Sequence, residues 1–138
     1  MTPRQKQLVQ ETFAKVVPIS DQAASLFYGR LFEADPALRG LFKTDIKVQG
    51  RKLMQMIGYC VGKLDALDEL VPAVKELGRK HADYRVKESD YATVGAALLW
   101  TLEQGLGPAF TTEVKEAWSD VYQTLASTMI AGAHAAPA

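Results

Sequence analysis

Ile46-Lys-Val-Gln49-Gly50-Arg-Lys52-Leu53-Met-Gln-Met56-Ile57-Gly-Tyr-Cys60-Val61-Gly-Lys63 is the stretch whose periodicity decides the fold class. Ile46, Gln49, Gly50, Leu53, Met56, Ile57, Cys60 and Val61 recur at helical spacing, which predicts an amphipathic helix from about Ile46 to Lys63. Toward the N-terminus, the polar connection Lys43-Thr-Asp45 separates it from Asp35-Pro36, a cap-plus-proline signal opening a short helix through Leu38, Leu41 and Phe42. Further back, Ser20 is placed to cap a helix bearing Ala23, Ala24, Phe27 and Leu31. Thr2-Pro-Arg-Gln5 is a capping-box pattern ahead of Leu8, Val9, Phe13 and Val16, and Pro18 stops that first helix. Toward the C-terminus, Pro72 is expected to start a segment with Val74, Leu77, His81 and Tyr84 on one face. Ser89 caps a long helix that ends at Gly105-Leu-Gly-Pro108. Thr111 or Thr112 caps the last, with Val114, Ala117, Trp118, Val121, Tyr122, Leu125 and Met129 on its apolar side. No strand-like alternation bounded by Asn-Gly or Asp-Gly turns interrupts this pattern, so the expected class is all-α.

The chain has 138 residues, enough for one domain with a sizeable core. Sixteen Lys+Arg balance sixteen Asp+Glu, so there is no electrostatic footprint for nucleic acid or an anionic membrane. The start, Met1-Thr-Pro-Arg-Gln-Lys-Gln-Leu, lacks the apolar core of a signal peptide. Ala96-Ala-Leu-Leu-Trp100 falls far short of a membrane span, so a cytoplasmic protein is expected. The domain is expected over residues 1–132, and the Ala-rich residues 133–138 are expected as a disordered tail. One cysteine, Cys60, cannot form an intramolecular disulfide and reads as a small core residue. Two histidines, His81 and His134, with Cys60, are too few for a zinc site built from side chains. A metal at His81 must therefore bring most of its ligands with it.

Tyr28, Gln49 and His81 sit where apolar residues would be expected. Each has an ordinary explanation: a rim hydroxyl for Tyr28, the wet edge of a stripe for Gln49, a carbonyl-bonded core residue for His81. Taken singly, none of them defines a site.

Together they resemble a family. Phe27-Tyr28-Gly-Arg-Leu31-Phe32 and Asp35-Pro36-Ala-Leu-Arg-Gly-Leu41-Phe42 are similar to the second and third helices of a globin. Gln49-Gly-Arg-Lys52-Leu53-Met54 resembles the distal helix, and Leu77-Gly-Arg-Lys-His81 the proximal segment ending in the haem-ligating histidine. Tyr91-Ala-Thr-Val-Gly95 and Ala117-Trp118-Ser-Asp-Val-Tyr122 resemble the last two helices of single-domain bacterial haemoglobins and of flavohaemoglobin haem domains. The likeness runs from residue 5 to residue 131 in order.

The resemblance implies a three-over-three helical sandwich around haem b (iron protoporphyrin IX), with His81 as the iron ligand. Phe42 would stack against the haem, Leu53 and Val94 would wall the pocket, and Tyr91 would flank His81. Lys52 or Lys80 would pair with the propionates. Tyr28 and Gln49 would hold O2, CO or nitric oxide, since both offer hydrogen-bond donors to a ligand that gains negative charge. The expected role is O2 binding, storage or delivery by a monomer or weak dimer. The alternative is a nitric oxide dioxygenase served by a separate reductase, because the chain ends at 138 without a reductase domain.

Chemistry adds three expectations. The second ring nitrogen of His81 should donate to a fixed acceptor, with the Leu77 carbonyl in reach. Gly50 should let the distal helix pass close to the second helix near Ala24. Finally, Ala133 stands where flavohaemoglobin-type domains place a glutamate against the proximal histidine, so His81 should be less imidazolate-like.

Overall fold

The computed structural model of the chain describes residues 2–41, 45–83 and 88–134. Every described element is helical: α1 (Pro3–Val16), α2 (Ser20–Ala34), α3 (Ile46–Gly62), α4 (Leu67–Asp83), α5 (Glu88–Leu106) and α6 (Thr112–His134). Short 3-10 turns at Val17–Ile19, Pro36–Leu41, Leu64–Ala66 and Gly107–Ala109 join them. No described helix is long and apolar enough to cross a membrane.

Local chemistry sets most boundaries. Thr2 and Gln5 close a reciprocal capping box at the start of α1. Asp35 accepts from the Ala37 amide at 3.2 Å and opens the 3-10 turn bearing Leu38. Asp45, read from sequence only as part of a polar connection, is the cap of α3, accepting from the Lys47 amide at 2.7 Å. Thr111 caps α6 through the Val114 amide. Gly107, with φ of +55°, supplies the left-handed residue that ends α5.

Four expectations are corrected. Ser89, expected to cap α5, lies inside it, because the helix is already formed at Glu88. Ser20 is the first residue of α2 and not its cap, because the Val17–Ile19 turn runs into the helix with Ser20 donating to the Val17 carbonyl. Pro72 lies inside α4, which begins at Leu67. Interior proline costs about 3 kcal/mol. Leu70 and Val74, buried against Cys60, Leu125 and Met129, offset that at roughly 1.5–3 kcal/mol per side chain. Met56 is 39% exposed; the inward stripe of α3 instead takes the partly buried Leu53, Met54 and Ile57 beside buried Gly50, Cys60 and Val61.

The helices form two layers. α1, α3 and α4 cross α2, α5 and α6: α1 lies on α6, α3 on α2, and α4 along α6. The main core joins Leu8, Val9, Val16, Ala23, Leu64 and Trp118 with their neighbours. At its centre the Trp118 indole N–H donates to Thr12 Oγ1 at 2.8 Å, and Thr12 donates to the Leu8 carbonyl. A second cluster, of Phe27, Tyr28, Leu31, Leu38 and Ala97, sits at the other end of α2. α6 continues through His134, past the expected domain end at 132, and residues 135–138 lie outside the described residues.

Candidate functional site

Tyr28 is the polar member of the second cluster. It is only 4% exposed, edge-on to the Phe27 ring at 5.1 Å and stacked on Phe32 at 5.9 Å. Burial pushes its phenol up to about 12, so it is a neutral donor at any ordinary pH. Arg39 packs its guanidinium 5.1 Å from the Phe32 ring, tying the 3-10 turn to this group. Phe42, just beyond that turn, lies outside the described residues.

α3 closes over Tyr28 through Gly50. A Cβ on Gly50 would stand 2.9 Å from Ala24 Cβ and 3.8 Å from Tyr28 Cε2, so the absent side chain lets α3 and α2 touch, as the Gly50–Ala24 expectation required. Gln49, the preceding residue, is half-buried on α3. Leu53 and Val94 pack against the Tyr28 cluster from α3 and α5. An apolar cavity of about 20 Å³ shares Phe27, Leu53 and Leu98 with this cluster and reaches Phe13 and Trp118. The structure therefore brings Tyr28, Leu53 and Val94 together.

His81 stands near the C-terminal end of α4. Its Nδ1 lies 2.7 Å from the Leu77 carbonyl, the acceptor expected for it. A proton on Nδ1 donated to that oxygen leaves the lone pair on Nε2, the tautomer that ligates metals. Its ring is 6.3 Å from that of Tyr91, in the first turn of α5 next to Asp90. Burial raises the Tyr91 hydroxyl above its ordinary value.

Sequence reasoning missed the part played by Tyr122, whose hydroxyl donates to the Tyr91 carbonyl at 2.6 Å. The available signal was a tyrosine on an apolar helix face, whose hydroxyl must find a partner once buried. Burial and neighbouring Tyr91 raise its phenol strongly. Lys52 and Lys80 are exposed on α3 and α4. The side chain of Ala133 is outside the described residues.

The arrangement offers one oriented imidazole from α4 and a buried neutral phenol from α2, with apolar walls from α3 and α5. Among the described residues no three His, Cys, Asp or Glu side chains group to hold a metal ion. A lone imidazole with a fixed tautomer suits a metal carried in by a macrocycle that supplies the other donors, so the donor set fits haem.

Residues 25–129 match the family model for globins. A neuroglobin of Danio rerio is 30% identical over 96% of this chain and 92% of its own length. A flavohemoprotein of Halalkalibacterium halodurans is 30% identical over 91% of this chain but 31% of its own length. One of Bacillus subtilis is 29% identical over 87% of this chain and 32% of its own, so the chain spans about a third of these flavohemoproteins. Among solved structures, an engineered carbene transferase, described as a candidate nitric oxide dioxygenase from Rhodothermus marinus, superimposes with a TM-score of 0.87. It is 24% identical, with 96% of this chain and 93% of that chain covered, which makes it a likeness of fold.

Proposed function

This chain belongs to the globin family, and on that footing we propose that it binds b-type haem through His81 and reversibly holds O2 or another diatomic gas beside Tyr28 and Gln49. The observation that carries the reading is the 2.7 Å contact between His81 Nδ1 and the Leu77 carbonyl, which presents a single oriented Nε2 donor. When bound, haem supplies four nitrogen donors and an iron centre with a position for a diatomic ligand.

The remaining work falls to the chain. Tyr28, buried and protonated, offers an O–H to a ligand acquiring negative charge, and Gln49 offers an amide N–H from α3. Leu53 and Val94 exclude water from that side. Tyr91 flanks His81, and Lys52 or Lys80 would pair with the propionates. The acceptor of His81 is a neutral peptide carbonyl, and the resemblance to flavohaemoglobin-type domains puts Ala133 where those domains place a glutamate. A peptide oxygen draws the imidazole proton less than a carboxylate does, so His81 donates less electron density. This favours reversible binding over O–O cleavage.

Titration of the haem-reconstituted chain with CO and with O2 tests the reading. A Soret band that moves with each gas and returns on its removal is expected; a chain that takes up no haem overturns it. A second reading, favoured by the kinship with flavohemoproteins, is oxidation of nitric oxide to nitrate, NO + O2 + e⁻ → NO3⁻, the electron coming from a separate reductase. Sustained turnover with an added NADH-dependent reductase would support it. Consumption that stops after one equivalent of nitric oxide rejects it.

A further inference from the structure

His81 projects from a helix pressed main chain to main chain against α6. Gly78 of α4 faces the backbone of Met129, and Gly132 of α6 faces the backbone of Lys75; a Cβ on either glycine would overlap the opposing carbonyl and Cα. The pairs run oppositely along the two helices, 75 with 132 and 78 with 129, so they form the two ends of one antiparallel crossing. Val74 and Leu70, with Leu125 and Met129, continue the same contact in side chains. Such intimacy is not general to the helical glycines: at Gly29 and Gly62 a Cβ would meet nothing within 4 Å. Each interior glycine costs about 0.5–1 kcal/mol relative to alanine, a cost that the close approach accounts for at Gly78 and Gly132.

The crossing reaches the imidazole directly. Leu77, whose carbonyl orients His81, immediately precedes Gly78, so the orienting acceptor belongs to the turn held by α6. The other flank is held by the same helix. Tyr122 of α6 donates to the Tyr91 carbonyl, and its ring lies so close to α5 that a Cβ on Gly95 would stand 2.7 Å from Tyr122 Cε2. We propose that α6 is the positioning element of His81: Gly78 and Gly132 set α4 through backbone packing, and Tyr122 sets the start of α5. Gly78, Gly132 and Tyr122 are positioning residues, and the inference rests on the reading of His81 as the iron ligand.

A methyl group at Gly78 would drive α4 from α6 by about 1 Å or more, since non-bonded atoms settle near ~3.5 Å, and a close-packed interior passes such shifts on. Displacements of that size at a functional group change rates by up to about 100-fold. The test compares Gly78→Ala, Gly132→Ala, Tyr122→Phe and the control Gly62→Ala as haem-reconstituted full chains. Its readouts are the iron–histidine stretching band by resonance Raman and native-state hydrogen exchange. The first three should shift the band, the glycine variants should change CO association about tenfold or more, and Gly62→Ala should do neither. An unmoved band with only a lowered melting temperature would mean that the crossing merely packs, and the inference falls. If the glycine variants do not fold, hydrogen exchange on the wild type decides. The amides of Gly78 and His81 should open together with those of Met129 and Gly132, with one denaturant dependence; α4 opening without α6 overturns the inference. A wild-type chain that takes up no haem defeats the reading of His81 and leaves the exchange result standing, so the two failures are distinguishable.

Discussion

Replacing Tyr28 with phenylalanine isolates one hydroxyl. The ring is 4% exposed and held between Phe27 and Phe32 at 5.1 and 5.9 Å, and Phe keeps both contacts, so folding should survive. What is lost is a donor to a ligand that gains negative charge, worth about 1.5–3 kcal/mol. At about 1.4 kcal/mol per tenfold, the O2 dissociation rate should rise roughly 10- to 150-fold. Because burial pushes the phenol up to about 12, the wild-type rate should be flat from roughly pH 6 to pH 10, a window in which Tyr28 stays protonated. CO gains less charge on binding and should respond less. Stopped-flow displacement of O2 by CO measures the rate. A Tyr28→Phe rate within about twofold of wild type, below the lower bound of that hydrogen-bond range, would refute the reasoning, since the hydroxyl would then not face the ligand.

Gln49→Leu should raise the same rate by a smaller factor, because Gln49 is half-buried while Tyr28 is enclosed; a larger effect would make Gln49 the principal donor. Gly50→Ala places a Cβ 2.9 Å from Ala24 Cβ and should cost about 1–3 kcal/mol as overpacking. Calorimetry of the single variant and of the pair with Ala24→Gly should show the pair recovering most of that loss. Alkaline stability follows from burial of Tyr28 and Tyr122, whose folded values lie above the unfolded tyrosine value of about 10. Their raised values favour the protonated fold, so their stabilisation is complete below about pH 10 and is lost as pH climbs through the folded values. Melting temperature should hold to about pH 9 and fall above pH 10, less steeply in Tyr28→Phe.

Helix existence was legible because apolar spacing and caps act locally: Thr2 with Gln5 and Asp35 with Pro36 did in the structure what they promised in the sequence. Tertiary packing overrode local preference elsewhere. Pro72 reads as a helix start, yet the burial of Leu70 and Val74 carries α4 back to Leu67. Met56 fits the same spacing as Ile57, and only the direction of the neighbouring helices decides which of them turns outward. In the site, the Leu77 carbonyl and the Gly50–Ala24 contact were legible, since both follow from spacing along one helix or from a missing side chain. The Tyr122–Tyr91 bond and the crossing at Gly78 and Gly132 join residues far apart in sequence, and nothing in local pattern points to them.

The central claim is that His81 is the single protein ligand of a haem iron. The absorption spectrum of the haem-reconstituted wild type beside His81→Ala tests it most directly. A sharp Soret band is expected in the wild type that broadens, weakens and shifts in His81→Ala, with helical content retained. No Soret band in the wild type, or an identical band in the two proteins, would contradict it.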